Sequence, residues 1–157
     1  MSYTFSFWMV SLGNLVVRLR SSGLVVPGGG EATPEQAGAV VELLGTEGTP
    51  LDSVGHSSSG GDWFREELVP GPVAGAIGAA LAEHLLDRPI EGLLWAGFPS
   101  LGWAAHPELR EAVSRLDALD DDFFTGMDDD DAESVHVFVD AVRRTAETGL
   151  DLVTVYS

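Results

Sequence analysis

The pattern of apolar and polar residues predicts β-strands near both ends of the chain. One row of residues 3 to 10 is formed by Tyr3, Phe5, Phe7 and Met9, and the other by Thr4, Ser6, Trp8 and Val10. This period of two is typical of a strand with both faces partly covered. Residues 150 to 156 predict a final strand after Gly149, and residues 24–26 and 93–96 are shorter candidates.

Helical periodicity fills most of the chain between these strands. Thr33-Pro34-Glu35-Gln36 is a helix start, because Thr and Gln stand at capping-box spacing and Pro takes the first turn; Gly45 is the expected end. The other apolar stripes begin near Ser11, Asp62, Val73, Pro107 and Asp130. We expect an α+β fold in which about five helices cover a small mixed or antiparallel sheet that includes the N- and C-terminal strands.

Four segments have the composition of connections. They are a Gly/Ser-rich loop over residues 46–61, a break at Pro70-Gly71-Pro72, an aromatic loop over residues 97–103 and an acidic loop over residues 117–133. None divides the chain into two halves that would each bury a core. We therefore expect residues 1–157 to form a single domain.

The amino-acid composition excludes more classes of function than any motif does. The formal charge is -17, with 25 acidic residues against eight arginines and no lysine, which excludes lysine nucleophiles and P-loop lysines. A surface this acidic repels phosphate, so neither nucleic acid nor an anionic membrane is an expected partner. The absence of cysteine excludes disulfides and thiolate metal sites. We expect a cytoplasmic protein, because the lack of cysteine fits a reducing compartment and the opening residues alternate like a strand without the basic stretch of a secretion signal. We also expect no cofactor.

Nine of the seventeen residues from Asp117 to Glu133, here called the acidic segment, are acidic. Three interpretations remain open: a solvated loop, a docking surface for a basic protein, or a divalent-cation site. Around Gly126, the positions that would supply calcium ligands are Phe123, Thr125 and Ala132, so no calcium loop is predicted. The candidate partner-binding residues are Asp120, Asp121, Asp122, Phe123, Phe124, Asp128, Asp129, Asp130 and Asp131. The two phenylalanines either anchor a partner or fix the loop to the core.

The remaining chemical signals are weaker. Residues 55–61 match neither a nucleophile elbow nor a P-loop, and the four histidines lack the spacing that puts two metal ligands on one helix face. We expect surface histidines and no metal site, although His56 or His84 with carboxylates would suit a small hydrolase, with or without a metal ion. Trp95, Phe98 and Trp103 either line an apolar groove or fill the core.

The two ends of the chain carry a recognisable pattern: the strand from Met1 to Val10, and the segment from Phe138 to Tyr156, which follows F-x-x-A-x-x-x-x-A-x-x-G-L-x-L-V-x-V-Y. On these residues the chain resembles an uncharacterised actinobacterial family and, more distantly, the YfbM-like family. It implies an α+β fold with the first and last strands in one sheet. The matching residues are core and cap residues, so the resemblance transfers no catalytic residue.

These observations favour a non-enzymatic interaction protein, similar to an immunity protein or antitoxin, whose acidic segment binds a basic surface. The small hydrolase is the alternative. The partner, the oligomeric state and the pathway are not specified by the residues.

Overall fold

Five strands form one antiparallel sheet in the computed structural model, which describes residues 2–24, 32–57, 62–90 and 99–157. The strands are β1 (Ser2–Val10), β2 (Thr49–Pro50), β3 (Val54–Ser57), β4 (Ser100–Ala104) and β5 (Asp151–Tyr156). Their order is β2-β1-β5-β4, and β3 also pairs with β1. The predicted α+β class and the shared sheet of the terminal strands are confirmed, and every pairing is antiparallel.

The described residues contain seven α-helices and one π-helical segment, more than the five helices expected. The α-helices are α1 (Leu12–Ser21), α2 (Pro34–Glu47), α3 (Ala74–Ile77), α4 (Ala79–Leu86), α5 (His106–Asp117), α6 (Asp122–Thr125) and α7 (Asp129–Thr148), and the π-helical segment is Phe64–Val73. The predicted capping box of α2 is present, with the Thr33 hydroxyl accepting from the Gln36 N–H and the Gln36 side chain accepting from the Thr33 N–H.

The sheet separates two apolar cores because its strands alternate. Phe5, Phe7 and Tyr156 face the larger core, where they meet α4, α5, α7 and the π-helical segment. Trp8 and Val153 face the smaller core, against α1 and α2. Each of the two rows predicted for β1 therefore contributes residues to a core, and both faces of the strand are at least partly covered.

Helix α4 ends directly against the sheet, and this contact requires a glycine. A Cβ on Gly102 would lie 2.2 Å from the carbonyl oxygen of Leu85. The hydroxyl of Thr154, which is the cross-strand partner of Gly102, donates to that same oxygen. The Ser100 hydroxyl donates to the Leu86 oxygen at 2.9 Å, so the sheet satisfies carbonyls that the helix end leaves unpaired.

Several predicted boundaries are wrong. The Gly/Ser-rich loop contains β2 and β3, α2 continues past Gly45 to Glu47, and β4 occupies part of the expected aromatic loop. Pro70 and Pro72 do not break the chain but lie within the π-helical segment. The acidic loop contains α6. The candidate strand 93–96 and most of 24–26 lie outside the described residues, and Leu24 is not in a strand.

No helix in the described ranges is both long enough and apolar enough to cross a membrane.

Candidate functional site, an acidic groove beside strand β3

A groove of about 490 Å³ lies between β3 and the start of α7. One wall is the continuous stretch from Ser53 to Ser57, and the other carries four carboxylates. The carboxylates belong to Asp128, Asp130, Asp131 and Glu133. We call this feature the acidic groove. It joins residues 53–57 of the Gly/Ser-rich loop to residues 128–133 of the acidic segment, and the sequence places these two stretches more than 70 positions apart.

The aromatic part of the groove is a stack of His56 on Trp63. Their ring centroids are 4.5 Å apart with an interplanar angle of 35°. Behind them, Phe64 is fully buried and meets His56 edge to face at 6.2 Å. Trp63 and His56 are half-buried, so both rings rest on the core and still line the groove. An aromatic face beside carboxylates attracts cations through its quadrupole as well as through charge.

Asp62 fixes the start of the π-helical segment and therefore the position of Trp63. Its carboxylate accepts the N–H of Arg65 at 3.1 Å, as the predicted cap requires, and also the hydroxyl of Tyr156. Burial, together with the negative charge of Asp62, holds the pKa of Tyr156 well above its usual value. The tyrosine consequently keeps its proton and remains a donor to Asp62.

The acidic wall is built on the first turn of α7. Asp128 is the N-cap, just before the start that the sequence predicts near Asp130, and its side chain makes no capping hydrogen bond. Asp129, Asp130 and Asp131 follow in the first turn, where carboxylates are stabilised by the positive end of the helix dipole. Helix stability therefore explains part of this acidic run, but it leaves the negative charge facing the groove.

Within the described ranges, arginines neutralise little of the acidic segment. The pair Arg143–Asp117 at 2.9 Å is the one ion pair there that involves this segment. The remaining arginine pairs join Arg18 to Glu47, Arg65 to Asp62, Arg88 to Glu108 and Arg144 to Asp140. Among the described residues, no arginine ion pair neutralises the four carboxylates of the groove, so their negative potential faces the groove. No group of three or more histidine or acidic residues in the described part of the chain is arranged to hold a metal ion.

The other predicted partner-binding residues lie away from the groove. Asp120, Asp121 and Asp122 are exposed around the start of α6, and Asp129 lines a neighbouring shallow cavity. Phe123 and Phe124 are half-buried against the larger core. Phe124 stacks on His136 at 4.3 Å, and Phe123 packs on Gly75. Their contacts fit the interpretation in which these rings attach the loop to the core.

The predicted apolar groove around Trp103 takes a different form. Trp95 and Phe98 lie outside the described residues. Trp103 is half-buried in β4, donates its indole N–H to the Pro89 oxygen at 3.1 Å, and carries the Arg88 guanidinium 3.5 Å above its ring. Its face is therefore covered by a cation of this chain.

His84 belongs to a charged cluster and lies outside the acidic groove. Its Nδ1 is 3.4 Å from Glu108, which also accepts from Arg88 at 3.0 Å. Burial raises the pKa of Glu108, but the hydrogen bonds from the Ala105 N–H and Arg88, with the charges of Arg88 and His84, outweigh it and hold that pKa below its usual value. Of the described residues lining the adjoining cavity, none carries a hydroxyl nucleophile.

Comparisons with known proteins add no identification to this geometry. No family model, curated protein or solved structure matches this chain. The resemblance to the actinobacterial and YfbM-like families therefore stays a prediction.

Two parts of the groove were missed from the sequence. Trp63 was placed on a helix but not in a site, and residues 53–57 were treated as loop. The alternation of Val54, Gly55, His56 and Ser57 is too short to predict a strand, because its one apolar position gives no period. The capping residue Asp62 was the available signal for the position of Trp63.

Proposed function

We propose that the protein is a non-enzymatic interaction module that binds a basic surface of another protein in the acidic groove. The observation that carries this proposal is the concave site itself, which sets four carboxylates opposite the His56–Trp63 stack. Such a site fits an arginine or lysine side chain, because carboxylates bind its charge and the indole face binds its cationic head.

The charge distribution supports fast and selective association of this protein with a cationic partner. With a formal charge of -17 the whole chain attracts a cationic protein, and the unpaired carboxylates direct that attraction to one face. Screening limits the attraction to about 8 Å at physiological ionic strength, so binding should weaken as salt is added. An immunity- or antitoxin-like role, in which an acidic surface covers a basic one, belongs to this class.

Two triple variants of equal charge test the location. Asp128→Asn/Asp130→Asn/Asp131→Asn removes three charges from the groove, and Asp120→Asn/Asp121→Asn/Asp122→Asn removes three from the α6 turn. A basic partner captured from the native cell, identified and purified, should bind the groove variant at least tenfold more weakly than wild type, mainly through a slower association rate. The α6 variant should bind within about threefold of wild type.

The two variants have different outcomes if the proposal is wrong. Wild-type affinity of the groove variant would remove the acidic groove as the binding site. Weakening by the α6 variant alone would instead move the interaction to Asp120, Asp121 and Asp122. Circular dichroism of both variants controls for folding, and Asn at position 128 retains a good N-cap residue.

A further inference from the structure

Strand β3 has an open backbone edge that faces the acidic groove. In the described residues β3 pairs with β1 alone, through Tyr3 with His56 and Phe5 with Val54 among others. All five residues from Ser53 to Ser57 line the groove. Since successive side chains of a strand point to opposite faces, an unbroken lining run indicates that the groove runs along the strand's edge.

Along β1, the backbone N–H and C=O groups of successive residues point alternately to the two neighbouring strands, and this alternation identifies which backbone groups of β3 point outward. Thr4 exchanges both backbone hydrogen bonds with Ser157, at 2.6 and 2.9 Å, so its N–H and C=O point toward β5. The groups of Tyr3 and Phe5 therefore point the other way, toward β3. The carbonyl oxygen of Phe7 follows the same alternation, because it accepts from the Leu51 N–H at 2.9 Å on the side of β1 away from β5.

It follows that His56 and Val54 are bonded to β1, whereas Gly55 and Ser57 direct their N–H and C=O away from the sheet. Gly55 and Ser57 are exposed, and a Cβ on Gly55 would meet nothing closer than the Tyr3 oxygen at 3.9 Å. As far as the described residues go, the edge is thus accessible to a backbone. Open edges of this kind pair with extended chains.

We propose that the partner binds as an added β-strand, with an extended segment pairing on the outer edge of β3 and presenting basic side chains at alternate positions to the carboxylates of α7. This inference rests on the proposed function and specifies its partner. Alternation follows from strand geometry, because every second side chain of the added strand projects to the same wall.

Charge complementarity indicates which kind of chain can pair with the open edge of β3. A second copy of this chain would bring its own charge of -17 and its own row of carboxylates to the same edge, so self-pairing is opposed. An extended segment with Arg or Lys at positions i, i+2 and i+4 matches the acidic wall along its length. It also brings one cationic head within reach of the His56–Trp63 stack.

The probe for this proposal is a fluorescein-labelled heptapeptide, Thr-Arg-Thr-Arg-Thr-Arg-Thr, measured by fluorescence anisotropy with the full-length protein. Two isomers are compared with it, each N-methylated on a different alternate set of amides. An added strand bonds through one set only, so one isomer should bind at least tenfold more weakly and the other within about threefold of the parent. Equal affinity of all three peptides would overturn strand addition.

Gly55→Pro and Gly55→Ala provide the matched test in the protein. Proline removes the outward N–H and spares the ladder to β1, whereas alanine keeps that donor and fits the open space. Gly55→Pro should weaken binding of the parent peptide about tenfold, and Gly55→Ala should leave it unchanged. If Gly55→Pro does not fold, hydrogen exchange of wild type replaces it: the Gly55 and Ser57 amides should become protected when the peptide is added, and unchanged exchange contradicts the proposal.

The two proposals fail separately. If the Asp128, Asp130 and Asp131 triple variant weakens the parent peptide but N-methylation and Gly55→Pro do not, the basic-partner function stands and strand addition falls. If the same triple variant binds the peptide as wild type does, the proposed function falls. No binding of the parent peptide at millimolar concentration overturns strand addition.

Discussion

Replacement of Gly102 by alanine is the sharpest test of how α4 is seated on the sheet. The added Cβ would stand 2.2 Å from the Leu85 oxygen, 2.5 Å from the Leu85 carbon and 2.6 Å from the His84 oxygen. Cβ atoms essentially never approach other heavy atoms closer than 3.0 Å. All three neighbours are backbone atoms, so the end of α4 must move away as a unit.

That movement has two costs. Overpacking of a filled interior costs about 1–3 kcal/mol. The hydrogen bond from Thr154 to the Leu85 oxygen must also stretch, and a buried polar group that loses its partner costs about 1–3 kcal/mol. We therefore expect Gly102→Ala to lower the free energy of unfolding by about 2–6 kcal/mol, a large share of the roughly 5–15 kcal/mol of a typical domain.

The matched control is Gly45→Ala in α2. Gly45 is exposed, and a Cβ there would meet nothing within 4 Å. Alanine in a helix interior is favoured over glycine by about 0.5–1 kcal/mol, so this variant should be slightly more stable than wild type.

Urea denaturation followed by circular dichroism measures both variants. A thermal scan should show Gly102→Ala melting roughly 4–24 °C lower, at about 2–4 °C per kcal/mol for a chain of this length. A free energy of unfolding within about 0.5 kcal/mol of wild type for Gly102→Ala would refute the close seating of α4 on β4.

Three further changes test contacts of the fold outside the acidic groove. Asp151 accepts the N–H of Leu12 and that of His106, both at 2.9 Å, so its carboxylate caps the first turns of α1 and α5 together. Asp151→Ala should therefore lower the free energy of unfolding by about 1–3 kcal/mol, measured by urea denaturation. An unchanged denaturation midpoint would contradict the double cap. Phe123→Ala should cost about 1–2 kcal/mol, because the ring is half-buried on the core; loss of partner affinity at wild-type stability would show a binding role instead. The pKa of Glu108 is lowered in the folded state, so the stabilisation by its carboxylate is full above the ordinary pKa of 4.5 and is lost as pH falls through the folded pKa. The difference in unfolding free energy between wild type and Glu108→Gln should therefore shrink between pH 7 and pH 3. A difference that stays constant over this range would contradict the lowered pKa.

Local signals identified the start of α2, the end of α7 and the strand β1. The α2 start was predicted because Thr33, Pro34 and Gln36 satisfy its first turn within four residues. The end of α7 was predicted because Gly149 adopts a φ of 75°, which glycine reaches without strain. The two rows of β1 were visible because successive side chains of a strand point to opposite faces, which gives the sequence a period of two.

Local signals also misled at specific places. Pro70 and Pro72 are normally helix breakers, yet the buried side chains of Leu68, Val69 and Val73 hold that stretch in a helical form. The segment around Trp103 has a loop composition, but pairing with β5 makes it a strand, since a sheet supplies hydrogen bonds that composition does not reveal.

The sequence by itself determined the α+β class, the terminal strands, the concentration of negative charge and the absence of lysine and cysteine chemistry. Only the tertiary structure decided that Asp128, Asp130 and Asp131 face His56 and Trp63 across one groove, while Asp120, Asp121 and Asp122 do not. The physical reason is that charge and periodicity are properties of neighbouring residues. The groove arises from the pairing of β3 with β1 and the packing of α7, and these contacts join residues far apart in the chain.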